Sequence, residues 1–177
     1  MAIKDNFSVD NMSQEIDLGE ILGRAPTQNE IAAFQEEAIE KIIERTQSSK
    51  DIDGRKFTKY SPAYAEEKGS DKVDLTLMGD MLLSVEARNR GGIVELFIND
   101  SDKKVNIKKG YNHNEGDTVP QRKWFGLNVK EADEIAKRIK EETPTSVSDA
   151  ISAAAIFQES RELNIDEILR NIGLFVD

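Results

Sequence analysis

Carboxylates dominate the chemistry available to this chain: 34 of its 177 residues are Asp or Glu, against 24 Lys and Arg, one His and no Cys. A hydrolase would need two of those carboxylates in one local setting, one giving a proton and the other taking it or attacking. No pair here has such a setting. Glu36, Glu37, Glu40, Lys41 and Glu44 recur at helical spacing, which is the pattern of a solvated helix face. Asp100 and Asp102 are close enough to share a calcium ion, but the other ligands and the terminal glutamate of an EF-hand loop are missing, and a hairpin turn accounts for them. His113 has Asn on both sides and no second His or Cys at metal-ligand spacing, so it reads as a hydrogen-bonding residue at a strand end or interface. Gly91-Gly92 is not followed by the Gly-Lys-Ser/Thr of a phosphate loop. The expectation is a protein that is not an enzyme and holds neither cofactor nor metal.

Binding chemistry is better represented, and it concentrates between Tyr111 and Leu127. This stretch holds the only His and the only Trp, runs through Asn112-His113-Asn114-Glu115-Gly116-Asp117, and ends in Pro120-Gln121-Arg122-Lys123-Trp124-Phe125-Gly126-Leu127. Its first half is too polar for a core and its second too apolar for water. Arg and Trp are the residues most enriched at binding hot spots. Two readings stand: Trp124 and Phe125 are sheet core with Arg122 exposed, or the stretch is a partner surface. The candidate contact residues are Tyr111, His113, Asn114, Arg122, Trp124 and Phe125.

The elements that must position this stretch follow from pattern. Met1 to Arg24 is acidic and only intermittently apolar, and reads as an N-terminal arm that orders against a neighbouring subunit or frays. Thr27 and Glu30 form a capping box ahead of Ile31, Phe34, Ala38 and Ile42 at helical spacing. Ser61-Pro62 opens a short helix that Gly69 stops. Ile93–Ile98 is the clearest strand, Val85–Arg88 a second beyond the Gly91-Gly92 turn, and Lys103–Lys108 alternates like a third. Asn128 and Glu131 box the start of a helix with Ala132, Ile135, Ala136 and Ile139 inward, which Pro144 closes. Thr145–Asp177 reads as a further helical pair. The predicted fold is α+β, a small antiparallel sheet against amphipathic helices, divided into an arm (1–25), an α+β domain (26–144) and a C-terminal helical extension (145–177).

The net charge of −10 argues against a protein that reads DNA, which would present a basic face. No stretch approaches the ~20 apolar residues of a membrane span, and Met1–Asp10 lacks the apolar run of a signal peptide. A soluble chain made in a reducing cytosol is expected.

In order, the segments resemble the phage virion morphogenesis proteins, the Mu-type family of tail-completion and neck components. The resemblance is carried by Phe57-x-x-Tyr60-Ser61-x-x-Tyr64-Ala65-x-x-Lys68, then Leu75-Thr76-x-Met78-Gly79-x-Met81-Leu82-x-Ser84-Val85, then Asn112-His113-Asn114-x-Gly116 and Pro120-x-Arg122-x-Trp124-Phe125-Gly126-Leu127. It covers about Pro26 to Lys140. It implies a structural virion protein of the head–tail junction, made in the bacterial host cytoplasm. Such a protein would form a homo-oligomeric ring, a hexamer or dodecamer, that meets portal-adaptor or neck proteins and tail-tube proteins. DNA would pass through it without sequence-specific binding, and the Tyr111–Leu127 stretch would lie near a subunit contact. A ring requires one patch of each subunit to meet a different patch of the next, and an acidic lumen would keep DNA from sticking. A tail terminator capping the tail tube, or a cytosolic adaptor outside the virion, are the alternatives.

Overall fold

A computed structural model describes residues 2–75, 80–99, 105–116 and 119–142. The chain divides into two units, Met1–Ile139 and Lys140–Asp177, and the architecture below is that of the first. The expected helical pair at Thr145–Asp177 and the expected turn at Asp100–Asp102 lie outside the described residues.

Two hairpins build the sheet. Strands β1 (Ile3–Ser8) and β2 (Asn11–Asp17) pair antiparallel across a two-residue loop, with the Ser8 hydroxyl accepting from the Asn11 N–H at 3.1 Å. Strands β3 (Val85–Arg90) and β4 (Ile93–Ile98) pair antiparallel across Gly91-Gly92. Both glycines have positive φ, 67° and 96°, the backbone that a tight hairpin matched to strand twist demands. β2 then pairs antiparallel with β4, giving the order β1-β2-β4-β3. The α+β class read from the sequence is the fold observed.

Register separates the two faces. Gln14 lies opposite Leu96 and Ile16 opposite Val94, so Met12, Gln14 and Ile16 join Val94, Leu96 and Ile98 on the buried face. The other face carries a row of charges across all four strands, Lys4–Glu15–Glu95–Arg88. Glu15 and Glu95 are like charges directly opposite, a destabilising arrangement. It is relieved because Glu95 pairs with both Arg88 (2.6 Å) and Arg90 (2.8 Å), while Lys4 approaches Glu15 at 3.6 Å.

The helices other than α3 share one core with the buried face. Helix α1 (Leu18–Leu22) is capped by Asp17 and ended by Gly23 in the left-handed region. Helix α2 (Gln28–Gln47) has the capping box expected at Thr27 and Glu30 and buries Ile31, Phe34, Ala38 and Ile42. Arg24 grips the Glu30 carboxylate through both terminal nitrogens (2.9 and 2.5 Å). Helix α3 (Pro62–Lys68) starts on Ser61 and stops at Gly69, as expected. The short α4 (Asp80–Leu83) leads into β3. Helix α5 (Val105–Glu115) buries Ile107, Gly110 and Asn114, and α6 (Val129–Glu142) buries Ala132, Ile135, Ala136 and Ile139.

Two expectations are corrected. Met1–Arg24 is not an arm: it supplies an edge strand, an interior strand and a helix, with Met12 and Ile16 essentially unexposed. Its period was masked because Gln14, a polar residue, occupies an inward position between Met12 and Ile16. Val105–Lys108, the described part of the expected strand Lys103–Lys108, is helical instead. The apolar alternation there spans only Val105 and Ile107, and β4 already has a neighbour on each side, so no place beside it remains. Packing of Ile107, Gly110 and Asn114 at i, i+3 and i+7 prevails over the local pattern.

Candidate functional site

From Pro120 to Asn128 the chain runs as an extended strap between α5 and α6, outside the sheet. Irregular backbone inside a core must find hydrogen-bond partners, because an unpaired buried N–H or C=O costs about as much as a lost hydrogen bond. Here most of the partners are side chains. The Gln14 amide accepts from the Leu127 N–H at 2.8 Å and donates to the Leu127 carbonyl at 3.0 Å, so one side chain acts as a β-strand partner would. The Arg45 Nη2 donates to the carbonyls of Trp124 (2.7 Å) and Gly126 (2.8 Å), and its Nη1 binds Glu131 at 2.5 Å. The Asn114 side-chain Oδ1 accepts from the Phe125 N–H at 3.3 Å. The Lys123 carbonyl accepts from the Ile52 N–H, whose own carbonyl takes the Asn128 amide (2.7 and 2.5 Å). The Asn128–Glu131 box expected from sequence is present in both directions (2.9 and 3.2 Å).

The strap's aromatics point inward. Trp124 is 0% and Phe125 1% exposed; the indole N–H donates to the Gly110 carbonyl at 3.1 Å. Phe125 meets Phe7 and Trp124 edge-on, at 5.8 and 5.5 Å between centroids. Two glycines make room. A Cβ on Gly110 would stand 2.7 Å from Ile98 Cδ1 and 3.2 Å from Trp124 Cζ2, and one on Gly126 would stand 2.7 Å from the Gln14 amide nitrogen. Gly126 also has φ of 87°.

The six candidate contact residues therefore do not form one surface. Trp124, Phe125 and Asn114 are core, Arg122 is itself only 3% exposed, and Tyr111 is partly buried against that core. The reading of Trp124 and Phe125 as sheet core is the one observed, and the expected exposure of Arg122 is corrected: its guanidinium turns inward because backbone carbonyls await it. Nε and Nη2 donate to Thr58 O (3.1 and 2.9 Å), Nη2 reaches Lys59 O at 3.5 Å, and Nη1 faces Pro120 O and His113 Nδ1 (3.3 and 3.4 Å).

Arg122 and His113 are the two candidates brought together. The Arg122 N–H also donates to the His113 carbonyl at 2.6 Å. Burial first, and then the Arg122 charge, lowers the His113 pKa from 6.5 to about 4, so the ring is neutral at pH 7. With Tyr60, Ser61, Tyr64, Val119 and Pro120 they line a cavity of about 340 Å³. Tyr60 and Tyr64 meet edge-on at 4.8 Å, and the Arg122 guanidinium stands 5.1 Å from the Tyr60 ring centre. His113 thus sits in the last turn of a helix, not at a strand end. No three His, Asp or Glu side chains converge as a metal-binding group among the described residues.

Gln14 and Arg45 carry no sequence signal for the roles they play: one lies in a strand read as an arm, the other in a helix's last turn. Glu131 was legible as a cap, though not as the partner of Arg45. Tyr60 and Tyr64 were legible only through the motif that holds them. Comparison of the chain with family models, curated proteins and solved structures finds no match.

Proposed function

We propose that the chain is a structural protein of a phage head–tail junction, a neck or tail-completion component that works as a homo-oligomeric ring around the DNA path. The observation that carries this reading is the ordered series of segments from Phe57 to Leu127. Its last block, Pro120-x-Arg122-x-Trp124-Phe125-Gly126-Leu127, is the strap on which β2, α2, α5 and α6 converge. The buried bonding of Arg122, Trp124 and Gly126 suits residues that shape a scaffold instead of reacting.

Subunit contacts then fall to surfaces other than the strap. The polar sheet face and the exposed row Glu36, Glu40 and Glu44 on α2 are surfaces available among the described residues, and the glutamate row is a part of the −10 charge arranged to line a channel that repels phosphate. Solution mass across a concentration range, with negative-stain images of the same sample, tests the reading. Rings of one size support it. A monomer at every concentration that also binds neither purified tails nor purified heads overturns it.

A further inference from the structure

Seven arginines lie among the described residues, and six pair with a carboxylate: Arg24 with Glu30, Arg45 with Glu131, Arg55 with Asp53, Arg88 and Arg90 with Glu95, and Arg138 with Glu37. The seventh, Arg122, is more buried than Arg45, at 3% against 7% exposed, and among the described residues no carboxylate lies within ion-pair distance of it. Among the described residues, in a chain with 34 acidic residues, the least exposed arginine is the one without an acid. Its acceptors are neutral: carbonyls of Thr58, Lys59 and Pro120, and the Nδ1 of an uncharged His113. The other ammonium near this site, Lys68 Nζ at 4.9 Å from the Tyr60 ring, is already held by Asp74 at 2.5 Å.

Removing a charge from water without a counter-charge is costly, and carbonyl dipoles offset only part of that cost. The result is a solvent-open pocket with a guanidinium in its wall that no described carboxylate offsets. Its walls are the rings of Tyr60 and Tyr64 with Val119 and Pro120, and its volume, about 340 Å³, falls within the range of pockets that enclose small ligands. We propose that this cavity binds a carboxylate carried on a ring-sized apolar group, the anion displacing the longest of the five Arg122 contacts, those to Pro120 O, His113 Nδ1 and Lys59 O at 3.3, 3.4 and 3.5 Å, and the apolar part lying between the tyrosines and Val119-Pro120. Such a carboxylate exists on free aromatic acids and at a chain terminus ending in an aromatic residue. The competing account is that Arg122 only braces the carbonyls of residues 58, 59 and 120. A brace would show no response to ligand. The inference stands without the neck reading, since it concerns one subunit and is measured on it in any oligomeric state.

His113 is the only histidine and lines the cavity, so its ring protons report occupancy without labelling. The full chain is titrated with benzoate and with benzamide, which has the same ring and no charge, and the His113 signals are followed by proton NMR. A saturable shift with benzoate, at least tenfold weaker with benzamide, is expected. Val119→Glu supplies an internal carboxylate and should weaken benzoate at least tenfold while the Trp124 near-ultraviolet signal confirms the fold. Competition by N-acetylphenylalanine but not its amide assigns the ligand to a chain terminus; competition by neither assigns it to free acids. No saturable shift, an equal shift with benzamide, or a Val119→Glu protein that binds as wild type does would overturn the proposal.

Discussion

His113 and Glu30 show how single residues make this fold sensitive to acid, in two successive windows. His113 has a folded pKa of about 4 against 6.5 in the open chain. Between those values the unfolded chain binds a proton that the folded one refuses, so stability rises with pH through the window and is fully present above 6.5. The contribution is on the order of 3 kcal/mol. Urea unfolding from pH 4 to 7 should show that slope, and His113→Gln should flatten it. Glu30 works at lower pH: the Arg24 hydrogen bonds, aided by Thr27, lower its pKa from 4.5 to about 2. Its contribution is present above 4.5 and is lost as pH falls toward 2. Gln14 is the other residue to test. Gln14→Leu keeps the shape but leaves the Leu127 N–H and C=O unpaired in the core, and should cost about 2–4 kcal/mol in denaturant melts.

At the scale of elements, the strap and α2 depend on each other through Arg45. Arg45→Met strips the Trp124 and Gly126 carbonyls of their donor and strands the Glu131 carboxylate. A loss of about 3–5 kcal/mol is expected, read as a lower urea midpoint. Adding Glu131→Gln should recover part of that loss, because the uncompensated charge is gone. Close approach is the second dependence. Gly110→Ala drives a methyl into Ile98 and Trp124 from the middle of α5, so it should destabilise by about 1–3 kcal/mol, although alanine favours helix over glycine by roughly 1 kcal/mol. A stabilised Gly110→Ala protein would show that α5 sits further from the sheet than described.

For the whole molecule, the sheet has helices packed on one face and a charged row on the other, and the aromatic stretch that looked like a docking surface is consumed in joining the layers. Assembly, under the proposed function, has to use the charged sheet face, α2 or both. Replacing Glu36, Glu40 and Glu44 together by Lys should leave folding intact, since all three are exposed, but should slow DNA passage through assembled particles. Unchanged infectivity would remove the acidic-channel idea.

What the sequence determined by itself was local: the Thr27, Ser61 and Asn128 caps, the Gly91-Gly92 hairpin, the β3–β4 pair and the inward faces of α2 and α6. Each is decided by neighbours a few residues apart, within reach of one hydrogen bond or one helical turn. Tertiary structure alone decided what depended on distant partners. Met12–Asp17 becomes an interior strand because β1 and β4 pair with it on either side and Leu127 takes its inward polar Gln14. Val105–Glu115 becomes helix because β4 has no free edge, and Arg122 turns inward because the Thr58 and Lys59 carbonyls lie there. The pairings that settle these cases join residues 63 to 113 positions apart, and no local pattern encodes a contact at that separation.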